Sequence, residues 1–108
     1  MSDFIIVTTN DVADRKVKRV IGEVAGITVY SPGFKRSVAG GFKSLIRGEV
    51  NSFSKTLLEA RAEALKKLEE EARAQGANAV LMTRFDSNTF STGLMEVYAY
   101  GTAAIVEA

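Results

Sequence analysis

The chain reads as an α+β protein: a two-layer subunit with a mainly antiparallel sheet, covered by one long helix plus a short helix. Three observations predict this. Residues Ser52 to Gln75 carry an apolar stripe at helical spacing on a charged background. Runs rich in β-branched and aromatic residues flank that helix on both sides. No linker, internal repeat or low-complexity stretch divides the 108 residues, so 1–108 form a single domain.

Phe4 to Thr8 (Phe-Ile-Ile-Val-Thr) is the first strand, because stiff branched side chains pack well on a pleated surface. The polar stretch Asp14 to Lys18 turns the chain, and Val17 to Tyr30 forms a second, long strand. Gly22 and Gly26 interrupt that strand, and glycine there marks a bulge, a bend or the close approach of another backbone. Pro32-Gly33 ends it. Phe34, Val38, Phe42, Leu45 and Ile46 recur at spacings of three and four, giving a short helix from Phe34 to Arg47 that stops at Gly48. Gly40 and Gly41 weaken it, each costing about 1 kcal/mol relative to alanine.

In the long helix the stripe is Leu57, Leu58, Arg61, Ala62, Leu65, Leu68 and Ala72. At 1.5 Å per residue it would run about 36 Å, the length of a small sheet. Ser52 or Ser54 can cap it, with Thr56 and Glu59 an alternative capping box, and Gly76 supplies the left-handed residue that closes such helices. Glu63 with Lys67 and Glu69 with Arg73 are favourable pairs on its solvent side. Strands Ala79 to Asp86 and Leu94 to Val106 follow, joined as a hairpin by the polar tract Ser87 to Gly93.

The last strand is apolar on both sides. Leu94, Tyr98, Tyr100, Ala104 and Val106 share one face, and Met95, Val97, Ala99, Ala103 and Ile105 the other. Val80 and Met82 against Leu81 and Phe85 repeat this in the preceding strand. One long helix covers one face, so the second is expected to pack on further copies of the chain, as a closed ring or a dimer.

Composition excludes much. With no cysteine and no histidine, most nucleophilic, general-base and transition-metal schemes lose their usual participants, and no motif assigns a nucleophile or base. No catalytic residue, metal ligand or cofactor is expected, and the chain reads as a non-enzyme. Fourteen Lys+Arg against thirteen Asp+Glu give +1, without the basic field of a nucleic-acid binder, and Arg15, Lys16, Lys18 and Arg19 read as a solvated face. No apolar segment approaches the roughly 20 residues that span a bilayer, and Met1 to Thr9 lacks a secretory pattern, so a cytoplasmic location without membrane contact is expected.

Gly40-Gly41-Phe42-Lys43-Ser44 is not a phosphate loop, since Phe42 and Ser37 stand where glycines are needed. The spacing of Glu23, Asp86 and Glu96 pairs no two carboxylates in a cleft. Arg61 lies on the apolar side of the long helix between Leu57 and Leu65. It is read either as structural, in an ion pair with a carboxylate such as Glu49 or Glu96 or in hydrogen bonds to backbone carbonyls, or as a planar fork for an anion in a subunit crevice.

Arg47-Gly48, Leu57-Leu58-Glu59-Ala60-Arg61, Ala64-Leu65, Leu68, Glu71-Ala72, Gly76-Ala77-Asn78-Ala79-Val80 and Gly101-Thr102-Ala103 occur in this order. The chain thereby resembles the YbjQ family, small bacterial and archaeal proteins labelled heavy-metal-binding, from about Phe4 to Val106. The resemblance implies an α+β subunit assembling as a pentameric ring, with no established reaction. Tight binding of soft metals is not expected to carry over, because Met1, Met82 and Met95 are the only soft donors. The ligand-binding candidates are Arg47, Gly48, Arg61 and Thr102, holding a small anion or metal-containing species near subunit boundaries. The alternative is a structural or protein-interaction module without a small ligand.

Overall fold

Close approach between one helix and one strand organises the chain. A computed structural model describes residues 4–30, 50–91 and 94–108. They form β1 (Ile5–Ile6), β2 (Val17–Tyr30), α1 (Val50–Ala74), β3 (Ala79–Ser91) and β4 (Leu94–Val106). The short helix expected over Phe34 to Arg47, with Arg47 and Gly48, lies outside the described residues. The sheet is mixed, in the order β1-β3-β4-β2: β1 runs parallel to β3, while β4 is antiparallel to both β3 and β2. The α+β expectation holds.

α1 packs through an almost side-chain-free surface. Its buried row is Thr56, Ala60, Ala64, Leu68 and Ala72, one residue every four, whereas Leu57 and Leu65 are half-buried and Leu58 is 63% exposed. The stripe expected from the leucines is therefore rotated towards the alanines. Gly26 is the cause: a β-carbon there would collide with Ala64 O and Leu68 N and lie 3.0 Å from Lys67 C. Helix and strand main chains touch at Gly26, where no side chain fits between them, and Leu68 fills the core beside that contact. The same proximity redirects Lys67, whose Nζ donates to Ile27 O at 3.0 Å instead of pairing with Glu63. The second expected pair does form, Arg73 Nε to Glu69 Oε2 at 2.8 Å.

The helix starts by Val50, so Ser52 and Ser54 lie inside it rather than at its cap. It ends as its sequence requires. Gly76, at φ 89°, donates to Arg73 O, and Ala77 donates to Ala72 O, which satisfies two terminal carbonyls and seats Ala77 in the core. That core joins Val24, Leu68, Val80, Val97, Ala99 and Ala103, with Ile6, Ile21, Leu65 and Phe85 packed partly against it.

Four register shifts interrupt the described pairings, at Val17/Arg19, Val20/Gly22, Leu81/Arg84 and Thr89/Ser91, and two of them carry a positive φ. One falls between Val20 and Gly22, where Gly22 takes φ 150°. The other falls between Leu81 and Arg84, where Met82 takes φ 54°. The second bulge shifts the alternation, so Phe85 joins Val80 on the helix side and not Leu81, contrary to the sequence expectation. β3 also outlasts its expected end at Asp86: Ser87, Asn88 and Thr89 pair with Val97, Glu96 and Met95. The long partner strand overrides the weak strand propensity of this polar tract. β1 is shorter than expected, although Val7 O and Thr9 O still accept from Thr83 and Met82.

The face away from α1 is open along most of β2. Val20, Ile27 and Val29 are exposed there, with Tyr98 paired to Ile27 and Tyr100 to Ala25. The described chain measures 50 × 24 × 21 Å with a radius of gyration of 16.1 Å. About 13 Å is usual for a compact chain of this size. No helix among the described residues is long and apolar enough to cross a membrane.

Candidate functional site

Arg61 sits at the rim of the helix–sheet contact, one residue after the buried Ala60 and one turn after Leu57. It is exposed rather than buried, because the helix is turned so that the alanines take the interior. Its guanidinium carbon lies 4.4 Å from the centre of the Phe85 ring, a cation–π contact worth about 0.5–1 kcal/mol at such a position. The bulge at Met82 is what brings Phe85 to this face. Arg61 makes no hydrogen bond or ion pair with any described residue. Of its two expected carboxylate partners, Glu96 is on the opposite sheet face and Glu49 lies outside the described residues.

Arg61 stands over a groove of about 320 Å³ lined by Leu57, Arg61, Phe85, Asp86, Ser87 and Val97. Ser87 and Val97 are cross-strand partners, so they share the groove's floor. Asp86 belongs to this lining by position, but its carboxylate is engaged elsewhere. Oδ2 accepts from Tyr98 Oη at 3.2 Å and Oδ1 from Ser87 N at 2.9 Å. Tyr98 is the cross-strand neighbour of Asp86 on the open face. Among the described residues the groove therefore presents one cation, Arg61, beside the apolar Leu57, Phe85 and Val97, with the carboxylate of Asp86 hydrogen-bonded to Tyr98 and the Ser87 amide.

Thr102 is half-buried in β4, paired with Glu23 and Leu81, on the open face. Within one chain it and Arg61 lie on opposite sides of the sheet. Its neighbour Gly101 serves packing, since a β-carbon there would sit 2.7 Å from Val80 Cγ1 and 2.9 Å from Leu81 O. Phe85 and Ser87 were not visible as site residues in the sequence. The first depends on the bulge, and the second lies in a tract that reads as a loop.

Asp86 and Glu96 do come to one face, two positions apart across β3 and β4, each held by a neutral donor, Tyr98 for Asp86 and Asn88 Nδ2 (2.9 Å) for Glu96. The negative charge of Asp86 raises the Tyr98 phenol above its ordinary 10.0, helped by desolvation, by their hydrogen bond and by Glu96. Tyr98 and Tyr100 stack at 5.8 Å beside them. Lys16, Lys18 and Arg19 are exposed.

A family model described as "Putative heavy-metal-binding", that of the YbjQ family, matches residues 4–107. Among curated relatives, a UPF0145 protein of Streptomyces griseus is 50% identical over 97% of this chain and 87% of its own. One from Thermoplasma volcanium is 42% identical over 97% and 86%, and one from Lactococcus lactis 41% over 99% and 98%. Among solved structures, a Pediococcus pentosaceus protein of unknown function, assigned to the DUF74 family, superposes with a TM-score of 0.50 at 18% identity, covering 96% of this chain and 97% of its own. That likeness shows the fold. The donor set does not fit a soft metal: the chain has no thiol or imidazole, and no three acidic side chains converge among the described residues. Met82 and Met95 lie at different heights of the hairpin, Met95 opposite Thr89, so they share no ion within a chain.

Proposed function

The chain belongs to the YbjQ family, and from that premise we propose that it is a non-enzymatic cytoplasmic protein that binds a small anion as a homo-oligomer. The observation that carries the anion is Arg61: a guanidinium braced on Phe85, with no partner among the described residues, at the mouth of a groove. Such a fork suits a carboxylate or phosphate, because its donors are planar and already oriented. Arg47 and Gly48 are the proposed partners of Arg61 from a neighbouring part of the assembly. Thr102 belongs to the opposite face, where subunits meet.

The open face supports the assembly. Ile27 and Val29, exposed beside Tyr98 and Tyr100, form an uncovered apolar strip on an elongated subunit, and a second copy is what such a strip would bury. The proposed assembly is a ring of five.

Native mass spectrometry of protein purified without chelator or added metal tests both parts. A closed pentamer carrying a discrete extra mass is expected, with the mass lost and the pentamer kept in Arg61→Ala. A monomer at micromolar concentration overturns the assembly. A ring without adduct, unchanged by Arg61→Ala, favours instead a module whose surface recruits another protein.

A further inference from the structure

We infer that the groove beside Arg61 takes a small apolar monocarboxylate, which rests on the anion-binding reading above and names its ligand class. The charge count comes first. Among the described residues Arg61 is the single cationic side chain lining the groove, and the Asp86 carboxylate accepts from Tyr98 Oη and from the Ser87 amide. Those neutral donors leave Asp86 its charge but occupy its oxygens on the Tyr98 side, so the Arg61 fork is left to meet one head group of single charge. A phosphate ester or polyphosphate spreads its charge over more acceptors than this wall has charged donors to meet.

Geometry points the same way. With its central carbon 4.4 Å over the Phe85 ring and no hydrogen-bond partner among the described residues, the guanidinium keeps its N–H donors for a ligand, and two parallel N–H donors match the two oxygens of a carboxylate. Beyond that head group the lining turns apolar, with Leu57, Phe85 and Val97, and Ser87 supplies a single hydroxyl. An acid without an apolar body would leave that floor wet, and an apolar body without the acid would leave the arginine unused. At about 320 Å³ the groove is at the lower end of the range for small-molecule sites, which favours a compact metabolite over a nucleotide or peptide.

The test is amide NMR of the ¹⁵N-labelled full chain, titrated in turn with benzoate, acetate, benzyl alcohol and inorganic phosphate. Benzoate is expected to move the amides of Leu57, Ser87 and Val97 saturably. Acetate and benzyl alcohol, each carrying half of the chemistry, should bind at least about tenfold more weakly. Arg61→Gln should weaken benzoate by a similar factor, and Arg61→Lys should recover only part of the loss. Dispersed spectra for both variants show that the fold is retained. Phosphate saturating these amides through Arg61 while benzoate does not overturns the ligand class and leaves the anion reading standing. Benzyl alcohol matching benzoate, with Arg61→Gln without effect, overturns the role of the charge. If none of the four probes moves these amides, the inference and the anion reading both fall.

Discussion

Val97, Ala99, Gly101 and Ala103 line one face of β4, while Tyr98, Tyr100 and Thr102, one residue out of step, line the other. β2 repeats the contrast, with Val24, Gly26 and Thr28 buried under α1 and Ala25, Ile27 and Val29 exposed behind it. At Gly26 the covered face dispenses with a side chain so that two main chains can meet, while Leu68, Val80 and Val97 fill the core around that contact. On the open face, rings and branched chains stand up from the sheet because nothing in the described chain presses on them. Side-chain size in this sheet thus follows the distance of the next backbone, and hydrophobicity alone does not tell the two faces apart.

Gly26→Ala is the harshest way to test that contrast. The added methyl group runs into the Ala64 carbonyl and the Leu68 amide, which are backbone atoms and cannot rotate away, so α1 must lift off β2. A loss of roughly 3 kcal/mol or more is expected, at or above the upper end for overpacked cores. The neighbouring Ala25→Ser, on the open face, should change stability by less than about 0.5 kcal/mol. Urea unfolding of the pair checks it, and equal losses would show that helix contact does not distinguish the faces.

The covered face also holds a polar group it does not use. Thr28 is 1% exposed and its Oγ1 has no hydrogen-bond partner among the described residues. Thr28→Val keeps the shape and removes the hydroxyl, so a gain of about 1 kcal/mol is expected. A lower melting temperature in Thr28→Val would mean that the hydroxyl is satisfied and that this face tolerates polarity.

How legible all this was follows from the same contrast. The long helix, its glycine stop and the extended runs were readable, because periodicity and branched residues report local structure directly. Gly26 was readable as a bulge, a bend or a close approach of another backbone, and the last of these is what α1 makes there. The rotation of α1 was hidden: Ala60 and Ala64 weigh little in a hydrophobic pattern beside Leu57 and Leu58, yet they are the residues that α1 turns inward with Leu68 where its main chain meets Gly26. The placement of Phe85 was hidden too, since a bulge built on a left-handed methionine leaves no glycine to mark it. Arg61 was identified as a candidate, but its burial was misjudged with the helix face and its stacking partner depended on that bulge.

The smallest effect isolates the open face's polar side. Tyr98 donates to Asp86, and the carboxylate's negative charge disfavours the tyrosinate, so the phenol titrates above 10.0. A raised folded-state value means that the protonated form is the one favoured by folding: this contribution is complete below about pH 10 and is lost as pH rises through the Tyr98 midpoint. Asp86→Asn keeps a hydrogen-bond acceptor but removes the charge, so the midpoint should fall back towards 10.0, with Glu96 and partial burial holding a remainder. Titration followed at the ¹³Cζ of labelled tyrosine separates Tyr98 from Tyr30 and Tyr100. An unmoved midpoint in Asp86→Asn would remove Asp86 as the cause.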